Sequence, residues 1–184
     1  MSQPRAVMIG CGIEVPDIRV DNHMLAKIMD TTDEWIRERS GIETRFYVEP
    51  GVSSADLGAA AAQAAISDAG IDAEEIDYIV CATMTPDHYF PGSGTIFQHK
   101  LGLGQVPCLD IRQQCTGFLH GMQLADALVC AGRCRNVLLV GAEVHGGFMP
   151  WKSWDVVLGR SDDEVPEDEF RWNTRFRDRA VLFG

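Results

Sequence analysis

The chain has 184 residues, with 16 lysines and arginines against 27 aspartates and glutamates, for a formal net charge of −11. That length fits one domain, or one half of a larger duplicated one, with enough apolar residues for a substantial core. The charge argues against nucleic acid or an anionic membrane as the main partner, and no apolar run approaches the ~20 residues that span a bilayer.

The start, Met-Ser-Gln-Pro-Arg, runs directly into a strand-like segment, so a soluble, cytoplasmic protein is expected. Cysteines at 11, 81, 108, 115, 130 and 134 form neither a CxxC motif nor a Cys/His cluster, and Cys130 with Cys134 is the nearest approach. A reducing compartment and no metal follow. Any contact with an anionic carrier must use a local basic patch, and two stretches qualify: Arg37, Arg39 and Arg45, then Arg171, Arg175, Arg177 and Arg179.

Ala6 to Ile13 reads as a buried strand with glycines where other backbone comes close. Asp21-Asn22 predicts a helix cap, with Met24, Leu25, Ile28 and Met29 on one face, and Thr31-Thr-Asp-Glu34 opens a further turn of helix through Trp35 and Ile36. Ser53 or Ser54 begins the clearest helix, with Asp56 in its first turn, alanines giving it a thin profile, and Gly70 as its stop.

Ile76 to Met84 is a strand covered on both faces. A helix from about Gly94 to Leu101 and a strand from Pro107 to Ile111 follow. A polar turn (Arg112, Gln113, Gln114) then leads into a helical pattern that begins at Cys115 and reaches Cys130. Nearly all-round apolarity predicts that this helix is central and buried. Asn136 to Ala142 is another buried strand, and Arg179 to Gly184 begins one more. Strands alternating with helices imply a parallel or mixed sheet with helices on its faces.

The most informative residue is Cys115. Its place at the positive end of a helix favours a thiolate, the nucleophilic form, although a small buried residue at a strand-to-helix junction fits the same position. Of the histidines, His120 lies five residues along the same helix and turns away from the thiol, while His88 and His145 sit in loops without a supporting motif.

Thr31-Thr-Asp-Glu-Trp-Ile36, Arg39-Ser-Gly-Ile-Glu-Thr-Arg45, Ala82-Thr83, Phe90-Pro91, Cys115-x-Gly-Phe118 and a terminal Leu182-Phe-Gly184 stand in the order found in β-ketoacyl-acyl carrier protein synthase III. The chain therefore resembles the N-terminal half of that family over residues 1–184. The resemblance implies a thiolase-like α/β fold of αβαβα layers, of which this chain is the first of two similar halves. It implies a homodimer that moves an acyl group from coenzyme A to cysteine and then performs decarboxylative Claisen condensation with malonyl-acyl carrier protein. Coenzyme A thioester enters as substrate, and no cofactor or metal is expected.

By the same resemblance, Cys115 is the acylated nucleophile, Trp35, Arg39 and Arg179 contact the nucleotide of coenzyme A, and Phe90 reaches across the dimer to line the partner's acyl pocket. Stacking on an indole and pairing of guanidinium with phosphate suit those residue types. Core packing for Trp35 and Phe90, or solvation for Arg39, remain the plain alternatives.

The family's catalytic histidine and asparagine lie in the second half. Because Leu182-Phe-Gly184 stops inside an apolar strand, a longer polypeptide is expected. Gln113 and Gln114 replace the small residues common before the cysteine, and Thr116 follows it, which leaves the acyl donor open. Residues 146–178 form an aromatic and acidic excursion, read as a lid, an acyl channel, or a surface or dimer-contact loop. Other readings are acyl transfer to oxygen or nitrogen, non-decarboxylating condensation, and a non-catalytic dimerisation or chain-length partner.

Overall fold

The computed structural model describes residues 5–181. In chain order it has β1 (Ile18–Asp21), α1 (Asn22–Ala26), α2 (Asp33–Ser40), β2 (Thr44–Tyr47), α3 (Ser54–Ala69), β3 (Tyr78–Ala82) and α4 (Ser93–Lys100). These are followed by β4 (Cys108–Ile111), α5 (Gly117–Cys130), β5 (Val137–Gly141), α6 (Trp154–Val157), α7 (Glu167–Arg175) and α8 (Arg177–Ala180). Two compact units result, one from the residues up to Glu14 with Gly51–Val144, the other from Val15–Pro50 with the residues from His145 onward.

The first unit is built on a parallel sheet of order β4-β3-β5, in which Ile79 stands beside Cys108 on one side and Leu138 on the other. Ile79, Cys81, Leu138 and Val140 pack with Ala55, Ala62 and Ile66 of α3 and Phe97 of α4. The alternate residues face α5, because a side chain placed on Gly121 would collide with Leu139 and meet Val80, and one on Gly117 would meet Ala82. The helices therefore flank the sheet on both faces, as the alternation predicts.

Sequence and structure agree closely on α3. Ser53 accepts from the Asp56 amide (3.3 Å) and the Asp56 carboxylate accepts from the Ser53 amide (2.9 Å), a reciprocal cap. Lys100 Nζ lies 2.6 Å from Asp56 Oδ1, and together with the Ser53 bonds it holds that carboxyl down at about 2. Gly70, at φ 64°, ends the helix.

The second unit combines an antiparallel β1–β2 pair, Ile18 opposite Tyr47 and Asp21 opposite Thr44, with five helices. Asp21 Oδ1 caps α1 by accepting from the Met24 amide (2.9 Å), and Thr32 Oγ1 caps α2 by accepting from the Trp35 amide (3.1 Å). The core joins Val20, Leu25, Ile28, Met29 and Ile36 to Trp151, Val156, Val157, Ala180 and Val181. Residues 146–178 thus carry helices and supply buried side chains to this core. Asp162, Asp163 and Glu164 face water, whereas Glu169 turns in and accepts from the amides of Lys152 (2.8 Å) and Ser153 (2.6 Å).

Three expectations are corrected. Ala6 to Ile13 is not a strand: Val7 is 77 % exposed and Met8, Ile9 and Ile13 also face outward. Its amides at Ala6 and Cys11 bond to the carboxylates of Asp126 (3.0 Å) and Asp68 (2.9 Å) instead of a ladder. Gly10 and Gly12 do bring the backbone against α3 at Ala61, Ala65 and Ala69, so close that a Cβ would collide.

The helix α5 is also not buried all round. Only Gly117 and Gly121 are fully buried, Leu124, Leu128 and Val129 are half-buried, Leu119 is 61 % exposed, and Phe118 and Met122 stand out as well. The sheet covers one side, and an all-round apolar helix needs cover on both. Finally, Arg179 to Gly184 does not begin as a strand in its described part. Arg177–Ala180 is a helical turn that buries Ala180 and Val181, a short apolar run being equally compatible with either period. Leu182, Phe183 and Gly184 lie outside the described residues.

Candidate active site

After β4 the chain turns through Arg112 and Gln113, and Gln114 takes φ 44°, a conformation that residues with a side chain seldom adopt. Gln114–Thr116 forms a single tight helical turn, tied down where the Thr116 amide (3.2 Å) and Oγ1 (3.0 Å) both donate to the Gln113 carbonyl. The α-helix starts at Gly117, two residues later than the sequence predicts. Cys115 is accordingly held on the turn and exposed, not buried at a junction. Among the described residues its thiol has no hydrogen-bond partner.

Topology explains why a reactive group belongs there. The connection leaving β3 passes through α4 on one face of the sheet, while that leaving β4 passes through α5 on the other. In open α/β sheets ligands bind outside the carboxyl ends of the strands. Cys115 follows β4 at that end.

Cys11 is exposed as well, whereas Cys81, Cys108 and Cys134 are covered or half-covered. Burial, then the neighbouring Asp110 carboxylate, pushes the Cys81 thiol up, and burial likewise raises Cys108 and Cys134. These thiols stay protonated and serve packing.

The loop that follows β3 is pinned by three carboxylates that sequence reasoning missed. Glu143 accepts from the Met84 amide (2.7 Å) and Thr85 Oγ1 (2.8 Å). Asp87 accepts from Ser53 Oγ (2.8 Å) and the Ala55 amide (3.0 Å), and Asp110 from the amides of Ser93 (2.9 Å) and Gly94 (3.1 Å) at the start of α4. An acid in or soon after each strand was the available signal. The tip carries Tyr89, with the Arg112 guanidinium 5.1 Å from its ring centroid, and Phe90, which is 91 % exposed. Phe90 is therefore no core residue of this chain.

In the second unit Trp35 is half-buried, packed on the core and met by two guanidinium groups, Arg39 at 4.1 Å and Arg177 at 4.2 Å from the ring centroid. Arg177 Nη1 donates to the Asp30 carbonyl (2.9 Å), and Arg39 Nη1 to the Trp35 carbonyl (3.2 Å). Arg177, which the sequence did not single out as a contact, is thus the second guanidinium on Trp35, while Arg179 is exposed.

His88 and His120 are exposed, and His145 lies with its ring 6.5 Å from Phe148. Among the described residues no group of three His, Cys, Asp or Glu is placed to hold a metal ion, and no helix is long and apolar enough to cross a membrane.

Residues 109–160, which include the cysteine turn, match the family model described as 3-oxoacyl-[acyl-carrier-protein (ACP)] synthase III. The β-ketoacyl-[acyl-carrier-protein] synthase III of Rhodospirillum rubrum is 48 % identical over 146 residues, covering 79 % of this chain and 45 % of the relative. That of Rickettsia canadensis is 39 % identical over 168 residues, 85 % of this chain and 53 % of the relative. Among solved structures, the synthase III of Aquifex aeolicus superposes with a TM-score of 0.74 at 33 % identity, over 78 % of this chain and 46 % of that one.

Sheet, flanking helices and cysteine turn thus define a thiolase-like α/β protein. Within that class, the chain resembles β-ketoacyl-[acyl-carrier-protein] synthase III, and it spans about half the length of the curated relatives it matches.

Proposed function

We propose that this chain supplies the nucleophile and the coenzyme A contacts of an acyl-thioester condensing enzyme. Cys115 attacks an acyl-coenzyme A at the carbonyl carbon; the carbon–sulfur bond to coenzyme A breaks, and the acyl group rests on the enzyme sulfur. The backbone N–H of Cys115 and the dipole of α5 stabilise the oxyanion and the thiolate. Loss of carbon dioxide from a malonyl thioester, expected as malonyl-acyl carrier protein, then gives a carbanion. This carbanion attacks the acyl-enzyme to form a β-ketoacyl product and free the thiol.

The single observation that carries this reading is the exposure of Cys115 on a strained turn at the carboxyl end of β4, directly before a helix. Trp35, Arg39 and Arg177 hold the nucleotide end of coenzyme A, with Arg179 as a further phosphate contact. Phe90 lines the acyl pocket of a second copy in a homodimer, and the thiol chemistry suits the cytoplasm. No cofactor beyond the thioester substrates is required. The test is to supply the purified protein with an acyl-coenzyme A and malonyl-acyl carrier protein and to assay the β-ketoacyl product. Product formation that depends on both substrates is expected. Acyl transfer to water or to an alcohol, without carbon–carbon bond formation, would contradict the reading.

A further inference from the structure

The loop between β3 and α4 is fastened at both ends and carries its aromatic residues in the middle. At its start Glu143 accepts from the Met84 amide and Thr85 Oγ1, and its own Asp87 accepts from Ser53 Oγ and the Ala55 amide at the cap of α3. At its end Asp110 Oδ1 accepts from the amides of Ser93 (2.9 Å) and Gly94 (3.1 Å). Gly92, at φ 106°, and Gly94 make room for that carboxylate, since a Cβ on them would come within 2.6 Å and 3.2 Å of Asp110 Oδ2.

Between these anchors Tyr89 is 77 % exposed and Phe90 is 91 % exposed. Aromatic rings left in water at the carboxyl end of a parallel sheet, where ligands bind, gain by covering an apolar ligand. This tip is itself held. On β4 the side chains of Cys108 and Asp110 both stand against Gly94 of α4, and Arg112 follows two residues on. Its guanidinium lies 5.1 Å from the centroid of the Tyr89 ring. Among the described residues Arg112 has no ion pair, so the ring is its partner in the loop. Three residues beyond Arg112 comes Cys115. The segment that delivers the nucleophile therefore grips the loop twice, with the Asp110 carboxylate at its end and the Arg112 guanidinium at its tip.

We infer that Arg112 is a positioning residue that, acting through Tyr89, holds Phe90 in place and thereby sets which acyl chains Cys115 accepts. The inference rests on the proposed thioester chemistry. An aromatic wall fixed before the substrate arrives spares the cost of ordering it on binding, and a wall fixed in one place favours one chain length. Releasing Tyr89 lets the tip give way to a longer chain. The coenzyme A part, common to every donor, is untouched by that release.

The experiment follows the rate at which Cys115 is acylated, by intact mass, with acetyl-, hexanoyl- and decanoyl-coenzyme A. It compares the whole protein with Arg112→Ala, Tyr89→Ala, Tyr89→Phe and the variant carrying both alanines. Both side chains are exposed, so thermal midpoints should be unchanged in all four. Arg112→Ala and Tyr89→Ala should each raise the decanoyl-to-acetyl rate ratio by about twofold to fivefold. The double variant should go no further than the larger single one, because the two side chains act through one contact. Tyr89→Phe keeps the ring face and should keep the wild-type ratio. A ratio that stays at the wild-type value in both alanine variants, or effects that add in the double variant, overturns the positioning role and leaves the thioester reading standing. An equal loss with every donor in Arg112→Ala also overturns it, by making Arg112 a direct contact to coenzyme A. No adduct in the wild type with any donor removes the thioester reading and the inference with it.

Discussion

In the first unit the chemistry-bearing residue is left bare: Cys115 stands exposed on its turn, without a hydrogen-bond partner among the described residues. In the second unit the candidate binding residues cover one another, Trp35 carrying both Arg39 and Arg177. The difference separates two tasks. A nucleophile must be reached by a carbonyl carbon and tolerates a strained backbone at Gln114, whereas a stacking site gains from being shaped beforehand, since ordering side chains on binding costs affinity.

Breaking the bare half of this comparison has the largest expected effect. Cys115→Ala removes only a sulfur from an exposed turn, so acyl-enzyme formation should vanish with the thermal midpoint unchanged. A persistent adduct would show that another group is the nucleophile. Next in size is the core of the same unit. Phe97 is fully buried between Gly58 and the sheet, and Phe97→Ala should cost about 3–5 kcal/mol in denaturant unfolding, whereas the exposed Phe90→Ala should cost far less.

The stacked half calls for a finer measurement. Trp35→Ala should raise KM for an acyl-coenzyme A by about twofold to thirtyfold, at about 0.5–2 kcal/mol for the lost stacking, and leave the same acyl group on a small thiol unaffected. Equal effects on both donors would make Trp35 a core residue only. Arg177→Ala should follow Trp35→Ala more closely than Arg179→Ala does, and the reverse order would restore the assignment drawn from sequence.

The smallest effect concerns the cap of α3. The Asp56 carboxyl is lowered from 3.8 to about 2, so its contribution is full above pH 3.8 and is lost as pH falls through about 2. The stability difference between wild type and Asp56→Asn should therefore shrink across that window in acid-unfolding curves. A difference that stays constant with pH would remove the ionic part of the cap.

What the sequence made legible follows from where the determinants lie. The α3 helix carries its own start and stop in Ser53, Asp56 and Gly70, and β3 its own burial in an unbroken apolar run, so both could be read locally. The second unit could not, because its core joins Val20–Ile36 to Trp151–Val181 across more than a hundred residues, and neither part shows the pairing alone. The same holds for the apolar surface of α5, whose cover on one side only is a property of the assembled sheet. Within the candidate site, Cys115, Trp35 and Arg39 stood in recognisable motifs. Arg177 was hidden because Trp35, the ring it covers, lies far from it along the chain. Glu143, Asp87 and Asp110 were hidden because each acts on amides or hydroxyls brought near only by the parallel register.

The most direct measurement is the intact mass of the protein before and after exposure to a panel of acyl-coenzyme A donors, with peptide mapping of any adduct. The account predicts one acyl group per chain, on Cys115, labile to hydroxylamine as a thioester. An adduct on Cys11 or another thiol, or no adduct with any donor, would contradict it.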